Sequence, residues 1–228
     1  CQLTLHLSAL RLSDEPEAWQ RLGFAVDDDS TFEVGGVRVH LDPSAGVPAW
    51  TFSRVGPEPE HEEFSDRLVD GVPTRIDPTE TTETADAARP VEQPNGIVGV
   101  DHVVVTTPDG PRTAEALADL GLELRRRRPT TMGDVAMEQW FYRPGTVVEV
   151  VAPAEPAGEG PARIWGVTFV AGDLTATTHR LAALVSPPRP AVQPGRRIAS
   201  IRPEAGLRTR VAMMDSHVPR DATHLVAD

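Results

Sequence analysis

Two stretches, "DHVVVTTPD" at 101–109 and "WGVTFVAGD" at 165–173, each run a β-branched segment into an aspartate that stands where a helix begins. Such a repeat constrains the fold more than composition does, because one unit cannot bury its apolar face alone and must pair with a copy. After the first stretch, "GPRTAEALADLG" reads as a short helix. Asp109 stands at its start and Pro111 in its first turn; Ala114, Leu117 and Ala118 form the apolar face, and Gly121 ends it. Three strands are predicted next, in "LELRRRRP", "VAMEQWFYRPG" and "TVVEVVAP", punctuated by turn residues such as Pro144 and Gly145. The order is β-α-β-β-β. The second stretch repeats it: a helix in "LTATTHRLAALV" with Asp173 as N-cap, a weak strand in "SPPRPAVQPG", then strands in "RRIASIRP" and "LRTRVAMMD".

Residues 1–55 read as a third, abbreviated copy, in which Asp14 and Glu17 fit a capping box and "TFEVGGVRVHLD" and "VPAWTFSRV" supply strands. The expected organisation is this partial module at 1–55, an acidic linker at 56–96, a two-module domain at 97–215 (modules 98–153 and 161–215), and a tail at 216–228. The linker carries eleven carboxylates against three arginines and is rich in Pro, Glu and Thr, which predicts a mobile segment with one ordered turn in "FSDRLVDGV". An unpaired half-sheet leaves an edge and an apolar face, so the N-terminal copy is expected either to pack on the main domain or to pair with its twin in a C2 homodimer.

The 228 residues suffice for a sizeable core without staples. The single cysteine, Cys1, cannot form an internal disulfide, and with no apolar run of bilayer length a cytoplasmic setting is expected. A net charge of −12 argues against nucleic acid as a partner. The chain has no lysine, which excludes a Schiff base and the lysine of a P-loop. The basic run Arg125–Arg128 divides between two strand faces and reads as a salt-bridging surface.

Tandem β-α-β-β-β modules, His102 inside the first strand, Asp109 before the helix, "LG" at its end and Glu149 in the fourth strand resemble the vicinal oxygen chelate superfamily, the glyoxalase, bleomycin-resistance and extradiol-dioxygenase group. The resemblance is best over 98–215. It implies an α+β fold, with the paired modules forming a curved, barrel-like mixed sheet whose concave face binds a small organic molecule. It also implies either a lyase, isomerase or dioxygenase with a divalent metal, or a metal-free protein that binds or sequesters a small, antibiotic-like molecule.

Alternation places His102 with Val104 and Thr106, and Glu149 with Val147 and Val151. The family pattern turns both faces into the cup, where imidazole and carboxylate suit Zn, Fe, Mn, Co or Ni. A catalytic centre usually takes three protein ligands. Counting back from Asp173 as from Asp109, however, puts Gly166 where His102 stands, beside Trp165, and "LRTRVAMMD" has no carboxylate before Asp215. His6 and His40 would complete a ligand set only if the N-terminal copy folded over the cup. Without metal, His102 and Glu149 remain an acid–base couple. Gln139 and Phe141 share a strand face, and with Trp165 they are expected to line an aromatic pocket. Gln193 and Arg197 are assigned to ligand binding beside them, since only one of Arg196 and Arg197 can face the cup and Arg suits a planar acid group.

Overall fold

In the computed structural model, which describes residues 4–55, 65–77 and 93–216, the strands form two sheets. The first contains β1 (Thr4–Leu12), β2 (Thr31–Val34), β3 (Val37–Leu41), β4 (Ala49–Val55), β5 (Ser65–Val69) and β6 (Val72–Asp77), with the short helix α1 (Pro16–Arg21) after β1. Its strand order is β2-β3-β1-β4-β6-β5. β1 runs parallel to β3, β4 runs parallel to β6, and β1 and β4 pair antiparallel at the centre. Alternation fixes the faces: Val37, Val39 and Leu41 turn inward, while Arg38 and His40 point out.

The segment 65–77 was expected to be linker. It is instead a hairpin that extends the sheet, so the N-terminal region holds two abbreviated units rather than one. "SDRLV" and "VPTRID" lie around Asp70 and Gly71, both at positive φ, which makes the turn. Linker residues 56–64 and 78–92, Cys1 and the tail beyond Ser216 lie outside the described residues.

The second sheet contains β7 (Ile97–Thr106), β8 (Leu124–Met132), β9 (Val135–Tyr142), β10 (Val147–Pro153), β11 (Arg163–Ala171), the two-residue β12 (Arg189–Pro190), β13 (Arg197–Ser200) and β14 (Arg210–Asp215). Its order is β12-β13-β14-β11-β7-β10-β9-β8, two β-α-β-β-β units joined antiparallel through β7 and β11. The helices are α2 (Gly110–Asp119) and α3 (Leu174–Leu181). Asp109 and Asp173 cap them as expected, accepting from the backbone N–H of Arg112 at 2.9 Å and of Ala176 at 3.0 Å. Each cap is worth about 1 kcal/mol. The architecture is α+β, with a strongly curled eight-stranded sheet beside a smaller one.

Of the two expected arrangements, the N-terminal region packs on the main domain. Trp19, fully buried, touches Phe24, Phe32 and, from β11, Phe169. Polar ties flank this shared core. The turn residue Asp70 accepts from Arg112 Nε at 2.7 Å and from Thr113, and its carbonyl takes the N–H of Ala162. Asp14 does not form the expected capping box: the N-cap of α1 is Glu15, which makes no side-chain cap bond. The Asp14 carboxylate instead accepts the backbone N–H groups of Arg208 and Thr209. Gln93 and Asn95, also expected to be linker, are buried, and they bond to Ala25, Glu33 and Leu22.

Candidate functional site

β7 and β10 run side by side with Glu149 opposite Val104 and Val147 opposite His102. The even-numbered face of β7 therefore turns the imidazole of His102 and the carboxylate of Glu149 into the same concavity, a cavity of about 570 Å3. His102 Nε2 lies 3.6 Å from Glu149 Oε2, and each side chain is about nine-tenths buried. Nδ1 of His102 lies 2.7 Å from Asp101 Oδ2. An anionic Asp101 can only accept, so Nδ1 carries the proton and Nε2 is left to exchange one with Glu149 or with a ligand.

Both ends of this pair are braced. Arg196 donates to Asp101 Oδ1 at 2.5 Å and to the carbonyl of Asp215 at 2.7 and 2.9 Å. Burial pushes the Asp101 carboxyl up, but the hydrogen bonds from His102 and Arg196 outweigh it and hold Asp101 below the ordinary carboxylate value. On the other side the Gln139 amide donates to Glu149 Oε1, and Arg128 donates to Gln139 Oε1 at 2.8 Å. Arginine has no acceptor, so Arg128 fixes which way the Gln139 amide points and presents its NH2 to Glu149. A continuous polar line runs Arg196–Asp101–His102–Glu149–Gln139–Arg128, and its three middle side chains, His102, Glu149 and Gln139, lie in the floor of the cup.

Of the residues expected here, His102, Glu149, Gln139 and Trp165 line the cavity. Trp165 is half exposed at its rim, placed there by a bulge in β11 between Ile164 and Gly166. Phe141 lies in β9 under the Arg128 guanidinium, 5.8 Å from it, and is not part of the lining. Gln193 is exposed in the turn before β13. Arg197 faces solvent and pairs with Asp215 at 2.9 Å; Arg196 does not line the cup either and acts on it only through Asp101, the partner of His102. His6 sits against the turn at Gly145, and His40 lies on the first sheet; neither reaches the cup. Arg127 pairs with Glu138 and covers Trp140 on the outer face, as a salt-bridging surface should, while Arg128 turns inward.

The two halves of the cup are chemically unlike. β7 and β11 pair so that His102 faces Thr168 and Val104 faces Gly166. The pseudo-twofold relating the halves therefore carries His102 onto Gly166, as the sequence count predicted. In β14, Ala212 pairs with Thr168 as Glu149 pairs with Val104, so Glu149 is carried onto Ala212. A Cβ on Gly166 would meet the Arg210 carbonyl oxygen at 2.5 Å, so the backbone bars any side chain there. Among the described residues no group of three or more His, Cys, Asp or Glu is arranged to hold a metal ion. The second half supplies no donor to join His102 and Glu149, and the donor set does not fit a three-ligand metal centre.

No family model and no curated protein matches the chain. Solved structures do. A triple mutant of 4-hydroxymandelate synthase from Streptomyces coelicolor is 13% identical, with 95% of this chain and 94% of that one covered at a TM-score of 0.60. A xylose isomerase-like TIM barrel/4-hydroxyphenylpyruvate dioxygenase fusion protein is 10% identical, covering 96% of this chain and 50% of that one at 0.57. A methylmalonyl-CoA epimerase from Mycobacterium tuberculosis is 18% identical over 55% of this chain and 91% of its own, with a TM-score of 0.43. The first two span both sheets and show that the chain has the vicinal oxygen chelate fold. No helix among the described residues is long and apolar enough to cross a membrane.

Proposed function

We propose that the chain is an enzyme of the isomerase or lyase type that binds a small organic molecule in the second-sheet cup and moves a proton with His102 and Glu149, without a metal. The polar line across the cup floor carries this reading. Burying ionisable groups costs several kcal/mol unless they are paired, and here the pairing leaves His102 Nε2 and Glu149 Oε2 facing the cavity. Asp101 and Arg196 hold the imidazole, and Gln139 and Arg128 hold the carboxylate. The couple can take a proton at one atom and return it at the other, 3.6 Å away. Val104, Val151 and Val167 keep the floor dry, and Trp165 and Met132 flank the mouth. Isomerisation and elimination need only such transfers. A dioxygenase needs a redox-active centre that two donors do not complete.

The test is solvent exchange. Wild-type protein, treated with chelator, is incubated in D2O with a panel of 2-oxo acids, 1,2-dicarbonyls and thioesters, and C–H exchange is followed by NMR. Exchange into at least one class is expected, insensitive to chelator and lost in His102→Gln and Glu149→Gln. The second reading, a sequestering protein, is favoured by the apolar side chains Ile198, Ile201, Val211 and Ala212, which line the other half beside Arg189 and Arg210. Saturable binding that both substitutions leave intact, with no exchange in any class, would select it. One equivalent of metal retained through chelation would overturn the metal-free account.

A further inference from the structure

The outward face of the first sheet is itself concave and encloses about 990 Å3, more than the cup. One row of residues crosses all six strands in register. Glu33 pairs with Arg38, Arg38 with Ala9, Ala9 with Thr51, Thr51 with Arg75, and Arg75 with Asp66. Residues in register on neighbouring strands point to the same face, and all six line this cavity. The row reads acid, arginine, small, small, arginine, acid, and it is palindromic about Ala9 and Thr51. The pseudo-twofold of the sheet passes through that pair, which makes Arg38 and Arg75 symmetry mates in position, though Arg75 also gives its Nε to Asp77 at 2.7 Å. They are separated by three strand spacings, roughly 14 Å at the backbone. Two long side chains can close that gap from both ends over a floor that only Ala9 and Thr51 occupy.

Beside Arg38, Arg11 lies next to His40 across β1 and β3. Among the described residues neither Arg11 nor Arg38 has an ion-pair partner, in a chain whose net charge is −12. The local field is positive enough to register at the imidazole. Burial and then Arg38 and Arg11 hold His40 below its ordinary value, against the opposing pull of Asp27.

We infer that this face binds a small organic dianion, its two acid groups taken by Arg38 and Arg75 and its body lying over Ala9 and Thr51. Guanidinium groups suit carboxylate and phosphate alike, since both present paired oxygens to a planar fork. Glu33 and Asp66, just outside the two arginines, set the length: an anion that overreaches the gap meets a carboxylate. Nothing in this site depends on the His102–Glu149 couple.

Isothermal titration of the full chain at low salt tests it, with succinate and glutarate as short dicarboxylates, suberate as a long one and inorganic pyrophosphate as the phosphate probe. Saturable binding of a short dianion is expected, with suberate weaker. Whether succinate or pyrophosphate binds more tightly identifies the acid group. Arg38→Gln and Arg75→Gln should each weaken it about ten- to hundredfold, as loss of a charge-assisted hydrogen bond does. Both side chains are exposed, so the fold should survive, which circular dichroism checks. Ala9→Leu fills the floor without changing charge and should also abolish binding, whereas His102→Gln should not. No saturable heat with any short dianion, unchanged affinity in either arginine variant, or loss of binding in His102→Gln would each overturn the inference.

Discussion

Replacing Arg196 by methionine should expose how the cup floor is held. The guanidinium makes three bonds, one to Asp101 at 2.5 Å and two to the carbonyl of Asp215 at 2.7 and 2.9 Å. Methionine preserves the apolar stem but leaves Asp101, whose side chain is only 16% exposed, with His102 as its remaining partner. Breaking a buried ion pair from one side costs about 3–5 kcal/mol. The surviving His102 bond and the residual exposure place this case near the lower end, about 3 kcal/mol. Asp101→Asn removes the charge that Arg196 neutralises, so the double variant should recover part of the loss, with a coupling of about 2 kcal/mol. Urea unfolding of the four proteins of the cycle at pH 7 measures it. The pH dependence has a definite sign. Net hydrogen bonding lowers Asp101 from 3.8, so its contribution is complete above that value and lost as pH falls through the lower folded-state pKa. The coupling should therefore persist through mildly acid solution and close only below it. Additivity within about 0.5 kcal/mol at pH 7 would refute the braced-pair account.

Asp70→Asn keeps a residue that tolerates the turn's φ of 46° but removes the charge facing Arg112; it should cost about 2 kcal/mol and speed hydrogen exchange in β5 and β6 ahead of β7. If exchange in the hairpin is unchanged, Asp70 does not tie the sheets together. Restoring the missing donors as Gly166→His with Ala212→Glu should not create a metal site, because the new Cβ at 166 meets the Arg210 oxygen at 2.5 Å. The variant should be destabilised by about 1–3 kcal/mol. One tightly held zinc per folded chain, measured by elemental analysis, would contradict this. Trp165 is 50% exposed while Trp19, Trp50 and Trp140 are buried, so a ligand entering the cup should shift emission to the blue, and Trp165→Phe should remove the shift. An equal shift in that variant would place the ligand elsewhere.

The parts of the fold legible in the sequence are those set by local rules. β7 and β11 announce themselves by β-branched residues and α2 and α3 by aspartate caps; alternation set His102 on one face with Val104 and Thr106, and only the family resemblance implied that this face turns into the cup. What was not legible depends on pairing at long range. Asp14 looked like a capping residue because its local spacing allows one; its partners are nearly two hundred residues away in sequence, at Arg208 and Thr209. Alternation admitted at most one of Arg196 and Arg197 to the cup, and neither lines it: β13 begins at Arg197, which faces solvent, and Arg196 belongs to the preceding turn, where it bonds Asp101. Arg128 was hidden in a run of four arginines, and only the register shift between Leu124 and Arg126 sets it opposite Gln139. The β5–β6 hairpin was masked by its acidic surroundings. Its signal was present in alternating Val72, Thr74 and Ile76, all buried, beside the Asp-Gly pair at 70–71.

The two sheets share one plan and treat their symmetry in opposite ways, and this bears on what each can hold. In the second sheet the axis relates His102 to Gly166 and Glu149 to Ala212, so the acid–base couple falls on one wall, while the other carries Ile198, Ile201 and Val211 with the cations Arg189 and Arg210. A cavity so divided orients an asymmetric ligand, its reacting atom toward His102, which is what a directed proton transfer requires. In the first sheet the axis relates Arg38 to Arg75 and Glu33 to Asp66, so each wall presents an arginine flanked by an acid, with Asp77 as a second acid on the Arg75 side. That arrangement favours a ligand alike at both ends and provides no general base between them. If catalysis and dianion binding both occur, they belong to different sheets, and substitutions in one row should leave the other's ligand unaffected. A dianion that competes with the substrate of the cup, with inhibition that survives Arg38→Gln, would show that the asymmetric cup accepts both.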